Sequence, residues 1–250
     1  MKALITFGCS WTKGKASFYP TEGMSEDQFN KVVQSEKNVD KLTNKYAFRT
    51  ILSERHGYHN INFAKGGASN SAEIRCAEEY FNTDDYKKYD DVIVLWGITA
   101  TSRGEFWDNK NKRYYCTQYA IKRDVPKIGD IMREKHYDHD VEVKRLSTQI
   151  QHWDNYFKLA GIKNYWFDTF NHHEYDYKSP NMIFVDDNPR DLLSKLSMHN
   201  QDGYHNSMWT IDSGRIKVLV ENNLVNPYSL HPNIDCHIKI ADILDKQILW

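Results

Sequence analysis

The sequence predicts an α/β fold of three layers, α/β/α, with helices on both faces of a flavodoxin-like parallel sheet, in one domain spanning residues 1–250. Three observations carry this expectation. Four short apolar or aromatic runs are bounded by Gly, Asn or Asp, as buried strands are. Between them lie stretches with apolar residues at helical spacing, and strands that alternate with helices pair in parallel and need cover on both faces. The chain has 250 residues, which is enough for one such domain without division.

The elements follow in order. Residues 3–7 form the first strand, where Leu4-Ile5-Thr6-Phe7 runs into Gly8. The polar span 13–45 is longer than an ordinary connection and reads as an insertion. Helical spacing over 46–52 precedes Gly57, a helix-ending residue, and the second strand is expected at 60–63. A helix over 71–81 leads to a third strand at 91–96, after which residues 104–140 read as a second insertion. A helix over 145–159 ends before Gly161, and the fourth strand lies at 164–167. The region 179–226 has few periodicities and a turn signal at Asp187-Asn188-Pro189, and a helix-like stretch follows His231-Pro232-Asn233. The loops after Phe7, Phe63 and Trp96 leave strand carboxyl ends, where open α/β sheets bind ligands.

Composition bounds the partners. A formal net charge of −1 gives no whole-protein electrostatic case for nucleic acid or an anionic membrane. Cys9, Cys76, Cys116 and Cys236 are widely spaced with no C-x-x-C pair, which speaks against a zinc ribbon or dense disulfide framework and for free thiols in a reducing compartment. Neither a signal-peptide hydrophobic region nor a membrane-length stretch is visible, so a cytoplasmic protein is expected, with incorporation into a larger particle left open.

Ser10 follows the first strand and His231 precedes the last helix, so the chain offers a candidate nucleophile and a candidate base. Gly8-Cys9-Ser10-Trp11-Thr12 resembles the first block of the SGNH, or GDSL-like, hydrolase superfamily, with Cys9 where Asp is usual. Asn62-Phe63-Ala64-Lys65-Gly66-Gly67-Ala68-Ser69-Asn70 resembles the second block, in which a glycine N–H faces the oxyanion. Gly97-Ile98-Thr99 stands at the third block, with Thr99 in the place of Asn, and His231-Pro232-Asn233 resembles the last. The resemblance runs in block order from Met1 to about Leu244. It implies a serine-dependent carboxylic ester hydrolase working through an acyl-serine: Ser10 attacks, His231 takes the proton, and the N–H groups of Ser10 and Gly67, with Thr99 as a third donor, hold the oxyanion. A small-molecule or glycan ester is the implied substrate, carbohydrate O-deacetylation the first choice, and no metal or organic cofactor is required. Asn70 and Arg103 are candidate substrate-binding residues, Arg103 for an anionic group or else a structural ion pair.

The family's acid lies three residues before the histidine, where this chain has Tyr228. A main-chain carbonyl or another carboxylate must then orient the imidazole, and Asp168 and Asp235 are the candidates. Loss of that acid and of the Asn at Thr99 opens a rival reading, a catalytically decayed binding module for glycans or a protein partner. Cys9 is an alternative nucleophile if a helix N-terminus lowers its pKa. His172-His173-Glu174 and Asp235-Cys236-His237 carry metal-ligand residue types without a recognised spacing and read as structural. Phe106, Trp107, Tyr114, Tyr115 and Tyr119 stand among Lys110, Lys112, Arg113, Lys122 and Arg123. This mixture fits a lid or surface subdomain, a sugar-stacking face or, ranked last, a nucleic-acid groove.

Overall fold

The computed structural model describes residues 1–15, 17, 25, 27, 28, 31, 39–109, 112–116, 137–184, 191–197 and 214–250. In chain order these form β1 (Lys2–Gly8), α1 (Ser10–Lys13), α2 (Val39–Tyr46), α3 (Phe48–His56), β2 (His59–Asn62), α4 (Asn70–Phe81), β3 (Asp91–Ile98), β4 (Glu105–Asp108), β5 (Arg113–Cys116), α5 (His139–Ala160), β6 (Lys163–Asp168), α6 (Leu192–Ser197), α7 (Gly214–Glu221) and α8 (Ile234–Asp245). The four predicted strands pair in parallel in the order β2-β1-β3-β6, the start of a flavodoxin-like sheet. Beyond β6 the chain returns once more, with Ile183 N–H donating to Trp166 C=O at 2.7 Å and Trp166 N–H to Asn181 C=O at 3.1 Å.

Strand period decides which side chains face which layer. Ala3, Ile5 and Phe7 join Val92, Val94, Trp96 and Trp166 on one face, under α4 and α5; Leu4, Ile93, Leu95 and Phe167 face the other, under α3, α6, α7 and α8. The architecture is three-layered for a chiral reason as well. Right-handed crossovers that move in opposite directions along a sheet place their helices on opposite faces, and β1 to β2 moves opposite to β2 to β3 and β3 to β6.

In-register pairing sets Phe7 opposite Trp96 and Trp96 opposite Trp166. Their rings stack in succession at 4.5 Å and 4.5 Å, and Phe63 extends the row at 5.2 Å from Phe7. Phe81 of α4 and Trp153 and Phe157 of α5 close over this row. Buried aromatics of this size dominate core energetics, so the sheet beneath the site is stiff.

Three boundaries differ from expectation. The helix expected over 46–52 is two helices broken at Ala47, which is extended and packs against Gly14, where an added Cβ would lie 2.5 Å from that of Ala47. The helix expected from 145 begins at His139, because Asp138 caps it by accepting from Val141 N–H at 3.1 Å and Asp140 and Glu142 favour its first turn. The second insertion opens with an antiparallel hairpin, β4 paired with β5. Asp187-Asn188-Pro189 and most of the first insertion lie outside the described residues.

Candidate active site

The sheet order reverses between β1 and β3, and at that switch point Gly8, the last residue of β1, pairs with Gly97, one residue before the end of β3. Thr12 of α1 fills the space they leave: a Cβ at Gly8 would lie 2.2 Å from Thr12 Oγ1, and one at Gly97 would lie 2.4 Å from it. The chain can therefore turn sharply from β1 into α1 and expose the start of that helix at the strand ends.

Three loops are stitched together there. Phe63 N–H donates to Thr6 C=O at 2.8 Å and Lys65 N–H to Gly8 C=O at 3.0 Å, fixing the loop after β2 to the end of β1. Gly67 adopts φ 71°, a left-handed turn position that suits glycine. Ser69 then caps α4 by accepting from Ala72 N–H at 3.2 Å. Asn70 binds the main chain of Thr99 twice, its Nδ2 donating to Thr99 C=O at 3.1 Å and its Oδ1 accepting from Thr99 N–H at 2.9 Å. Gly67 thus lies on a loop held by β1 on one side and by the end of β3 on the other. Asn70, expected at the substrate, has its amide engaged by Thr99 and acts as a clamp.

Ser10 is the first residue of α1 and is 7% exposed. Its N–H belongs to the first turn, where no helical acceptor exists. Thr99 is buried, and its Oγ1 has no hydrogen-bond partner among the described residues. Cys9 occupies the N-cap position without a side-chain cap bond and is fully buried; burial pushes its thiol up, away from the thiolate a nucleophile needs, and the Arg103 charge only opposes this. Arg103 is itself 7% exposed, with its guanidinium 5.4 Å from the Phe170 ring centroid.

His231 sits on a tightly bonded loop before α8. Asn226 N–H donates to His231 C=O at 2.9 Å, and Asn226 Oδ1 accepts from Tyr228 N–H at 2.9 Å and Ser229 N–H at 3.0 Å. Asn233 caps α8 through Cys236 N–H at 2.9 Å and donates to Asn223 C=O at 2.6 Å. His231 Nδ1 lies 2.5 Å from Ser229 C=O. A carbonyl only accepts, so Nδ1 carries the proton and Nε2 is the basic nitrogen. The loop is tied toward α1 through α8 and α3: Phe48 N–H donates to His237 Nδ1 at 3.3 Å, and Arg49 Nη2 donates to Lys13 C=O at 3.2 Å. Ser10 Oγ and His231 are not hydrogen-bonded to each other in this structure.

Neither aspartate candidate orients His231. Asp168, buried at the end of β6, accepts from His173 N–H at 3.1 Å and Tyr175 O–H at 2.5 Å, with His172 Nδ1 at 3.3 Å. Asp235 is exposed in the first turn of α8. Of the two expected alternatives, the main-chain carbonyl is the one found at Nδ1, from Ser229. Among the described residues no three His, Cys, Asp or Glu side chains are grouped to hold a metal ion.

One residue had no signal in sequence reasoning. Glu73, one turn beyond Asn70, is 5% exposed, and its Oε1 has no hydrogen-bond partner among the described residues. Desolvation raises its pKa well above the ordinary range, with the Arg103 charge opposing. A glutamate between Ala72 and Ile74 reads as a solvated helix position; only the approach of Arg103 marks it. On the hairpin, Trp107 and Tyr114 are half-exposed with rings 4.9 Å apart, and Arg75 stacks on Tyr114 at 4.3 Å while binding Glu105 at 2.7 and 3.1 Å. Lys110, Tyr119, Lys122, Arg123 and the Tyr115 side chain lie outside the described residues. No helix among the described residues is long and apolar enough to cross a membrane. Comparison with models of known protein families gives no match, and comparison with curated proteins gives none either.

Proposed function

We propose that the protein is a serine-dependent carboxylic ester hydrolase, with carbohydrate O-acyl esters as the first substrate class to test. The observation that carries this reading is the convergence of three stitched loops at the switch point, bringing the Ser10 turn, Gly67 and the unpartnered Thr99 hydroxyl to the carboxyl ends of the strands. Ser10 Oγ attacks the ester carbonyl and His231 Nε2 accepts its proton; the N–H groups of Ser10 and Gly67 and the Thr99 hydroxyl receive the oxyanion. His231 then protonates the departing alcohol, and a second passage with water as nucleophile releases the acid and restores Ser10. A neutral carbonyl behind His231 holds the tautomer but stabilises the imidazolium less than a carboxylate does, so turnover is expected to be slow for this class.

The binding-module reading is favoured by one observation, the lack of a Ser10–His231 hydrogen bond, although catalytic bonds often tighten only when substrate arrives. A fluorophosphonate probe with peptide mass spectrometry separates the two. The hydrolase predicts an adduct on Ser10, absent in Ser10→Ala and formed on the order of a hundredfold more slowly in His231→Ala. Well-folded protein that takes up no probe would assign the scaffold to binding.

A further inference from the structure

A cavity of about 390 Å³ opens between the last turns of α5, the start of β6 and residues 177–181, with Asp154, Lys158, Tyr177 and Asn181 on its wall. The strands are parallel, so it lies at the opposite end of the sheet from the Ser10 turn. Its floor is a chain of ordered side chains. Asn181 Nδ2 donates to Asn164 Oδ1 at 3.2 Å, Asn164 Nδ2 to Asp154 Oδ1 at 2.6 Å, and Trp166 Nε1 to the same Asp154 oxygen at 2.8 Å. Asp154 is 5% exposed, yet its other oxygen, Oδ2, has no hydrogen-bond partner among the described residues. Buried polar atoms are as a rule paired, and a buried carboxylate oxygen without a donor is costly. The bonds to Asn164 and Trp166 use a single acceptor oxygen, which an asparagine would supply as well. The carboxylate therefore keeps an acceptor in reserve on the wall of a cavity.

We propose that this cavity is a second ligand site, separate from Ser10, that takes a neutral polyol, a single sugar unit. Charge on the wall selects a neutral occupant. Lys158 lies one turn beyond Asp154 on α5, and Lys163, 3.4 Å from Asp91, stands at the start of β6; these ammonium groups repel a cation, while Asp154 repels an anion. A sugar hydroxyl both donates and accepts, so it gives its proton to Asp154 Oδ2 and takes one from Lys158 Nζ or an asparagine amide. Burial, and then the Asp154 charge, raise the pKa of the Tyr177 phenol, so its hydroxyl stays protonated as a further neutral partner. The rings of Tyr165 and Tyr177 add apolar surface for the C–H face of a sugar, and the volume falls within the range of about 300–1,000 Å³ usual for small-molecule sites. The site stands whether or not Ser10 is a nucleophile.

The test is an NMR titration of the folded protein with D-glucose, D-galactose, D-mannose and N-acetyl-D-glucosamine, with ethylammonium chloride as the cationic control. It is read at the Trp166 indole N–H, whose proton is bonded to Asp154. At least one sugar is expected to shift that signal together with the Asn164 and Asn181 side-chain amides, and to do so equally in Ser10→Ala. Asp154→Asn keeps an oxygen for Asn164 and Trp166 and puts a donor in place of the unpartnered acceptor, so the fold is kept and sugar binding weakens about tenfold or more. An indole signal that no sugar moves, shifts confined to the strand carboxyl ends around Gly8 and Gly67, undiminished binding in folded Asp154→Asn, or ethylammonium binding more tightly than every sugar overturns the site. The unsubstituted protein decides the first, second and fourth of these without any variant. Fluorophosphonate labelling reads Ser10 independently, so the loss of either reading leaves the other standing.

Discussion

Space at single positions sets the geometry of the strand ends. A methyl group at Gly97 would lie 2.4 Å from Thr12 Oγ1 and 2.9 Å from the Phe167 ring, and both neighbours are buried. Gly97→Ala is therefore expected to destabilise by about 1–3 kcal/mol in denaturant unfolding, and Thr12→Ala in the same chain to recover part of that loss. His237 is fully buried, and desolvation, reinforced by the Arg49 and His231 charges, lowers its pKa to about 3. The unfolded chain binds this proton near pH 6.5 while the folded chain refuses it, so stability is full above pH 6.5 and falls as pH drops toward 3. The cost reaches roughly 3 kcal/mol at pH 4 as an upper bound. Unfolding midpoints followed from pH 7 to pH 4 should fall less steeply in His237→Gln than in the unsubstituted protein; parallel curves would remove His237 from this account.

At the scale of elements, two asparagines join loops to helices. Asn70→Ala removes both bonds to Thr99 and leaves its buried N–H unsatisfied, for an expected loss of about 1–3 kcal/mol and a displaced Thr99 hydroxyl. The readout is slower fluorophosphonate labelling of Ser10 at a temperature where the variant is folded. Asn233→Ala strips the cap of α8 and the bond to Asn223, costing about 1–2 kcal/mol, and loosens the loop that presents His231. Ser10, Gly67 and His231 were legible because each sits at a strand end or before a helix, where a local pattern announces it. Asn70 was expected at the substrate, and its bonds to Thr99 were not legible, since only the packing of α4 beside the end of β3 turns it there. Of the two alternatives expected to orient His231, a main-chain carbonyl or an aspartate, the structure has the carbonyl of Ser229, which no side-chain pattern encodes.

For the whole molecule, the two apolar faces of the sheet place the thiols. Cys9, Cys76 and Cys236 are buried and free, and burial raises Cys236 to about 12 as well as raising Cys9. Native protein should react slowly at these three positions with a disulfide reagent such as DTNB and quickly at all four cysteines once unfolded. Reductant should leave the melting temperature unchanged. Rapid modification of Cys9 in native protein would contradict its burial beneath the Ser10 turn.

The sequence by itself determined the strands, their parallel pairing and the two covered faces, because continuous apolar runs between helical stretches leave few ways to bury both faces of a sheet. It also marked Ser10, Gly67, Thr99 and His231 as residues at strand ends and helix starts. The tertiary structure alone decided that Asn70 clamps Thr99, that Asp168 serves Tyr175 and His173 and that a carbonyl orients His231. It alone buried Glu73 on α4, where the helical pattern suggested a solvated position. The reason is physical: periodicity reports which face of an element is buried, whereas a polar side chain's role depends on which partner another element brings within hydrogen-bond reach.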